Sequence, residues 1–383
     1  VIIGVPREVA AGERRVAVVP VSVRRLLEAG LEVRIETGAG SESGCTDEEY
    51  VDAGAQIGSD PQQIFAQADI LVRVQTLGSH PGTGQHEVEM LREGGCVIGM
   101  LQPFSQPELI QRLMSRRVTA FSLDLMPRTT LAQSMDVLSS MSTLTGYKGA
   151  LLAANALPKI FPMLMTAAGT LKHARVLVLG AGVAGLQAIA TARRLGAVVE
   201  AFDVRSAVKE QVESLGARFV EEEAVTPDAE DAGGYAKEQT KAQLESQRML
   251  LSKHIAQADA VISTALVPGR RAPILITEEQ VKEMRPGSVV IDLAAEQGGN
   301  CELTQPGQVV SAHGVEIHGP LNLPSSLPVH ASQMFSRNLT NYLLHLVKDA
   351  GLELNLEDEL TKGPLVTHEG AIFHEGVRAA MKK

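Results

Sequence analysis

The 383-residue sequence contains no tryptophan, three cysteines and an aromatic share of only 3%. With so few rings, the core has to be built from Val, Leu, Ile, Ala and Met, which suits buried parallel strands. Cys45, Cys96 and Cys301 are odd in number and widely spaced. Neither a disulfide framework nor a zinc knuckle is expected from them, and a reducing cytoplasm fits best. No apolar run approaches the roughly 18–20 residues that span a bilayer. The longest candidate, residues 161–171, is too short and contains Pro162 and Gly169, so direct membrane insertion is not expected. The opening Val1-Ile2-Ile3-Gly4-Val5-Pro6 lacks the length and the preceding basic residues of a signal peptide and reads as a first strand. A basic face is also missing. Lys and Arg number 35 against 45 Asp and Glu, a formal net charge of −10, which argues against binding to nucleic acid or anionic lipid. What is present, 44% hydrophobic and 21% charged residues, is ordinary for a globular chain, and the length favours two domains.

Short apolar runs alternate with helical patterns almost throughout, the signature of βαβ units and mostly parallel sheets. Strands are expected at 2–5, 32–36, 70–74, 96–100 and 119–123, with helices at 21–29 and 107–117. Residues 132–156, rich in Ala, Leu, Met and Ser, read as one or two helices joining two domains, and 158–170 as an irregular segment. A second α/β unit starts at Arg175, with strands at 176–179, 198–202, 218–220, 260–263, 289–293 and 315–317. The pattern over 330–347 predicts a long helix returning to the first domain. The expected fold is therefore two Rossmann-like α/β domains, residues 1–142 plus 326–383 and residues 143–325, the second doubly wound. A polar, acidic insert from Glu221 to Thr240 interrupts the rhythm and is either a solvated loop or a lid.

Gly180-Ala181-Gly182-Val183-Ala184-Gly185 stands between the strand 176–179 and a helix from Val183. That context gives a GxGxxG its meaning. Gly180 permits the tight turn, Gly182 lets the backbone approach a pyrophosphate, and Gly185 allows close helix–strand packing. The N–H groups of the first turn, including those of Val183 and Ala184, face the anion. Asp203 closes the next strand about 20 residues on, where a carboxylate bonds the adenosine ribose and repels a 2′-phosphate, so NAD(H) is expected. Arg205 lies close enough to soften that preference. Val204, Ala265 and Leu266, at the ends of neighbouring strands, complete the candidate cofactor contacts.

Five stretches then carry a resemblance that runs essentially end to end. They are Gly4-Val5-Pro6-Arg7-Glu8; Gly12-Glu13-Arg14-Arg15-Val16-Ala17; Pro127-Arg128 with Ala132-Gln133-Ser134-Met135-Asp136; Gly233-Gly234-Tyr235-Ala236-Lys237; and Asp292-Leu293-Ala294-Ala295-Glu296 with Gly298-Gly299-Asn300-Cys301. The sequence resembles the alanine dehydrogenase/transhydrogenase family. Within it, the likeness is to the NAD(H)-binding component (domain I, alpha subunit) of proton-translocating transhydrogenases. The resemblance implies that Arg128, Gln133, Asp136 and Ser139 meet the nicotinamide end, with Gln133 holding the ring for hydride transfer, and that Tyr235 sits on a mobile loop closing over the nucleotide. It also implies a homodimer, a partner subunit binding NADP(H), and membrane-spanning subunits that carry protons. The chain would then be cytoplasmic, peripheral on the inner face of the membrane through those partners. NAD(H) is expected in the cleft between the two domains. An Arg and an Asp as close as Arg128 and Asp136 can also be a simple ion pair.

Alanine dehydrogenase is the competing reading. Its pattern would place a substrate lysine where Gln75 stands and a catalytic histidine where Gln102 stands. A neutral amide cannot exchange a proton near neutral pH, which removes the acid/base machinery of oxidative deamination. Arg15 remains, but one arginine is not a catalytic site. A Rossmann sensor without chemistry is a third reading, against which the Arg128–Gln133–Asp136 cluster argues. His368-Glu369 and His374-Glu375 lack the spacing of HExxH, and no metal is expected. His313 and His318 read as structural, Met163 and Met165 as core, and the serine pairs Ser139-Ser140 and Ser325-Ser326 lack a triad.

Overall fold

The computed structural model describes residues 1–221, 241–266, 271–348 and 351–382, without the side chains of 241–247. The chain forms two compact units, Val1–Met141 with Ser325–Lys383, and Ser142–Pro324.

In the first unit, β1 (Ile2–Val5), β2 (Glu32–Glu36), β3 (Gln56–Gly58), β4 (Ile70–Val72), β5 (Cys96–Gly99) and β6 (Thr119–Ser122) run parallel in the order β3-β2-β1-β4-β5-β6. The strands are apolar on both faces because helices cover both. Leu71, Val97 and Ala120 meet Phe65, Leu109 and Leu113 in one buried cluster. The long helix Pro328–Leu346 lies in this unit and buries Phe335, Leu339 and Leu343; its Ser332 and Ser336 hydroxyls accept the N–H groups of Val16 and Val19.

The second unit is built on β9 (Arg175–Leu179), β10 (Val198–Phe202), β11 (Arg218–Phe219), β12 (Ala260–Ser263), β13 (Val289–Asp292), β14 (Val309–Ala312) and β15 (Val315–His318), ordered β11-β10-β9-β12-β13-β15-β14. All pairings are parallel except that of β14 with β15. Alternation along β9 sends Val176 and Val178 to one buried cluster and Leu177 and Leu179 to the other, so each face packs on helices. Strand order reverses between β9 and β12, and ligands of such sheets bind at that reversal, outside the carboxyl ends of the strands.

Three features depart from the sequence expectation. The segment after Leu157, expected to be irregular, holds a hairpin of β7 (Leu164–Thr166) and β8 (Gly169–Leu171). Met163 and Met165, expected in the core, are instead 56% and 78% exposed on it. They carry no buried neighbours because the hairpin's own residues are solvent-facing throughout. Beyond the helix Pro328–Leu346, β16 (Val347–Lys348) pairs with β17 (Gly351–Leu352), and β18 (Leu365–His368) joins β6 antiparallel with β19 (Ala371–Ile372) at the edge. No helix among the described residues is long and apolar enough to cross a membrane.

Candidate functional site

The glycine turn is explained in two different ways by its own surroundings. Gly180 has φ +97°, the left-handed region that side chains avoid, and a Cβ there would stand 2.6 Å from Thr264 Oγ1. At Gly185 a Cβ would fall 1.9 Å from the carbonyl oxygen of Gly180. Both glycines are therefore required by the protein itself. Gly182 is not: its φ is −75°, and among the described residues an added Cβ would meet no atom closer than Arg205 Nη2 at 4.0 Å. The open space in front of Gly182, at the N-terminus of the helix Val183–Arg194, fits a dinucleotide phosphate approaching the backbone.

Asp203, just beyond β10, reaches back into the turn. Its Oδ2 accepts the Ala181 N–H at 2.7 Å, while Arg205 donates through its backbone N–H, Nε and Nη2, each at 2.9 Å. The carboxylate expected to face the ribose is thus half of a nearly buried ion pair.

Several residues that shape this region were not singled out from the sequence. Thr264 Oγ1 lies 3.1 Å from the Gly180 carbonyl and 3.3 Å from that of Leu179, pinning the end of β12 to the end of β9. Gly146, in the helix Val137–Ala156, lies so close to the first turn of the next helix that a Cβ would come within 2.0 Å of the Ala184 carbonyl. A lone glycine inside an Ala- and Leu-rich helical pattern was the available signal. The Asp292–Cys301 stretch acts as a clasp. Fully buried Asp292 accepts from Ser263 Oγ, from the N–H groups of Ala294, Asn300 and Cys301, and from Thr304 Oγ1 at 2.6–3.1 Å. Asn300 then takes the Ala265 N–H at 3.0 Å and donates to the carbonyls of Ala265 and Pro273, each at 2.8 Å. Ala265 is fixed on both its polar groups, and Leu266 beside it is exposed. Val204 stands half-buried next to Asp203.

In the first unit, Thr130–Met135 forms a 3-10 turn after Arg128. Asp136 caps the following helix, accepting the Ser139 N–H at 2.9 Å and its Oγ at 2.5 Å. Asn338 and Asn341 both donate to the Ser134 carbonyl at 2.9 Å. Backbone is held on either side of Gln133, whose side chain is exposed, as are those of Arg128 and Leu131. Tyr235 and the Gly233–Lys237 motif lie outside the described residues.

The positions that separate the two readings are also clear. Gln75 donates through Nε2 to Glu13 at 3.0 Å, and Glu13 accepts Arg15 Nε at 2.7 Å and Nη2 at 2.5 Å. Next to them Arg73 is fully buried between Glu8 and Glu87. Burial pushes the Glu8 carboxyl above the usual carboxylate range against the pull of Arg73. Gln102 is exposed, at φ +50°, and its carbonyl takes the Ser105 N–H at 3.0 Å. His368 contacts Thr119 Oγ1 at 3.1 Å and His374 caps the helix Glu375–Ala380. His313 and His318 pair with Glu278 and Glu316.

A doubly wound sheet with this glycine turn at its strand reversal defines a Rossmann-type nicotinamide-dinucleotide protein. Residues 4–145 match the family model described as alanine dehydrogenase/PNT, N-terminal domain, and residues 149–375 its C-terminal domain, and the chain belongs to this family. It is 48% identical to an NAD(P) transhydrogenase subunit alpha chain of Rhodospirillum rubrum, over 97% of each chain. The structure of a transhydrogenase from Sinorhizobium meliloti superposes with a TM-score of 0.85 at 41% identity, covering 98% of this chain and 100% of that one. An L-alanine dehydrogenase structure gives 0.81 at 27% identity, over 100% and 99%. The resemblance expected from sequence is therefore met, and the transhydrogenase branch is the nearer of the two.

Proposed function

We propose that this chain is the NAD(H)-binding component of a proton-translocating transhydrogenase. It holds NAD(H) on the Rossmann domain, residues 143–325, and exchanges hydride with NADP(H) on a partner subunit. Membrane-spanning partners supply the proton path and keep the chain at the inner face of the membrane. The observation that carries this reading is an intact dinucleotide turn in a chain that has neutral amides, Gln75 and Gln102, at the two positions where amino-acid oxidation needs ionisable groups. Gly180, Gly182 and Gly185, with the N–H groups of Val183 and Ala184, hold the diphosphate. Asp203 and Val204 serve the adenosine ribose, and Ala265 and Leu266 line the crevice. Arg128, Gln133, Asp136 and Ser139 serve the nicotinamide end. A bound nicotinamide supplies the hydride chemistry. The residues position it and exclude water, Tyr235 closing over it, and none needs to gain or lose a proton.

The test is reconstitution. Mixed with an NADP(H)-binding partner subunit, the purified chain exchanges hydride between NADH and an NADP⁺ analogue, and with L-alanine and NAD⁺ alone it forms no NADH. Alanine-dependent NADH formation with no exchange would reverse the assignment.

We also propose a homodimer, supported by the apolar hairpin β7–β8. Met163, Leu164, Met165 and Leu171 are 56%, 45%, 78% and 53% exposed, a clustering that monomers rarely leave in water. Sedimentation velocity is expected to give a dimer for the parent chain and a monomer for Met165→Asp combined with Leu171→Asp. A double variant that still sediments as a dimer would move the contact elsewhere.

A further inference from the structure

Beside the glycine turn, the ion pair Asp203–Arg205 poses a problem of capacity. We propose that Arg205 is itself a dinucleotide-binding residue that exchanges partners: it holds Asp203 in the free protein and turns to the diphosphate when the ribose hydroxyls take Asp203. This rests on the reading that the turn binds NAD(H).

A carboxylate offers about four lone-pair positions. On Asp203 all four are taken, Oδ1 by the Arg205 N–H and Nε and Oδ2 by the Ala181 N–H and Arg205 Nη2. A ribose diol needs two of them. The two backbone donors belong to the turn and its neighbour and cannot leave without unmaking it, whereas the guanidinium can rotate away on its own side chain. Its destination is already adjacent. Arg205 Nη2 is the atom nearest the open space before Gly182, 4.0 Å from where a Cβ would stand, and that space is where a diphosphate meets the helix N-terminus. The exchange replaces an arginine–carboxylate pair, with side chains only 14% and 6% exposed, by an arginine–phosphate pair of the same bidentate kind. No charge is left buried and unpaired at any point. Asp203 passes to hydroxyl donors that suit it, and the ligand's own charge compensates the arginine. A permanent clamp would behave differently, since removing it would disturb Asp203 equally for every adenosine-containing ligand.

The two roles separate on ligands that differ only in the diphosphate. Dissociation constants for adenosine, ADP and NADH are measured on the full chain by calorimetry and ligand-observed NMR, for the parent, Arg205→Ala and Arg205→Gln. In both variants adenosine is expected to bind about 3–10-fold more tightly, because Asp203 no longer has to be released. The gain from adding the diphosphate, read as the ratio of the adenosine and ADP constants, is expected to shrink about tenfold, the worth of one charge-assisted contact. An unchanged ratio, or equal weakening of both ligands, overturns the partner exchange. If Arg205→Ala does not fold, the ratio is read from Arg205→Gln, which keeps a side chain over Asp203 without the charge. A parent chain that binds neither NADH nor ADP would instead remove the nucleotide reading beneath the proposal, an outcome distinct from an unchanged ratio.

Discussion

Gln133→Asn is expected to slow hydride exchange about 100-fold while leaving the dissociation constant for NADH within about threefold of the parent. The backbone around Gln133 is fixed. Asn338 and Asn341 hold the Ser134 carbonyl, and Asp136 caps the helix that follows. Shortening the side chain by one methylene therefore withdraws the amide by about 1.5 Å, with no slack in the chain to restore it. Misplacement by about 1 Å costs a well-oriented reaction roughly two orders of magnitude. Affinity is expected to survive because the diphosphate and ribose contacts lie on the other domain's residues and are untouched. A contact that orients in the transition state lowers the rate constant, whereas one that binds ground and transition states equally raises KM. Single-turnover exchange with the NADP(H)-binding partner and a fluorescence titration with NADH measure the two quantities. Comparable losses in both would reduce Gln133 to a general affinity contact.

Legibility in the sequence followed the strength of the local pattern. The strands at Arg175–Leu179, Val198–Phe202 and Ala260–Ser263 are continuous apolar runs closed by glycine, Asp203 or Thr264, and each lies within a residue of its expected position. They are buried on both faces, so composition alone marks them. β14, at Val309–Ala312, went unread because it is an edge strand whose residues alternate only between exposed and half-buried. The hairpin β7–β8 was missed for a related reason. Its six strand residues all face solvent, and without an inside there is no period to detect. Met163 and Met165 were assigned to a core by residue type when nothing in the fold covers them.

The candidate site divides along the same line. Gly180, Gly182, Gly185 and Asp203 are close in sequence and carry their spacing with them. Thr264 and Asn300 act through partners 84 and 35 residues away, and Gly146 acts through Ala184, so no local window contains their reason. Family resemblance had flagged the Asp292–Cys301 stretch without saying what it does. The structure supplies the physical account: a buried carboxylate organises a loop turned by Gly298 and Gly299, at φ +95° and +82°, and that loop's asparagine immobilises Ala265.

The glycine turn offers the sharpest separation of fold from function, through a pair of substitutions identical in chemistry. Gly182→Ala is expected to leave the melting temperature unchanged and to weaken NADH binding about 100-fold. Gly185→Ala is expected to lower stability by about 1–3 kcal/mol, the ordinary range for overpacking. The difference follows from what each new methyl would meet. At 185 it would lie 1.9 Å from the Gly180 carbonyl, so the strand, turn and helix must move apart whether or not a ligand is present. At 182 it meets no described protein atom within 4.0 Å, and the backbone, at φ −75°, already suits an alanine. Nothing inside the protein demands a glycine there, so its presence is accounted for by the phosphate that must approach the Val183 and Ala184 N–H groups. A methyl in that path holds the anion away from the helix N-terminus, where both the hydrogen bonds and the dipole fall off steeply with distance. Thermal melts and NADH titrations of the two variants decide the matter, and a Gly182→Ala chain that bound NADH as tightly as its parent would mean that the diphosphate lies somewhere other than the space in front of this residue.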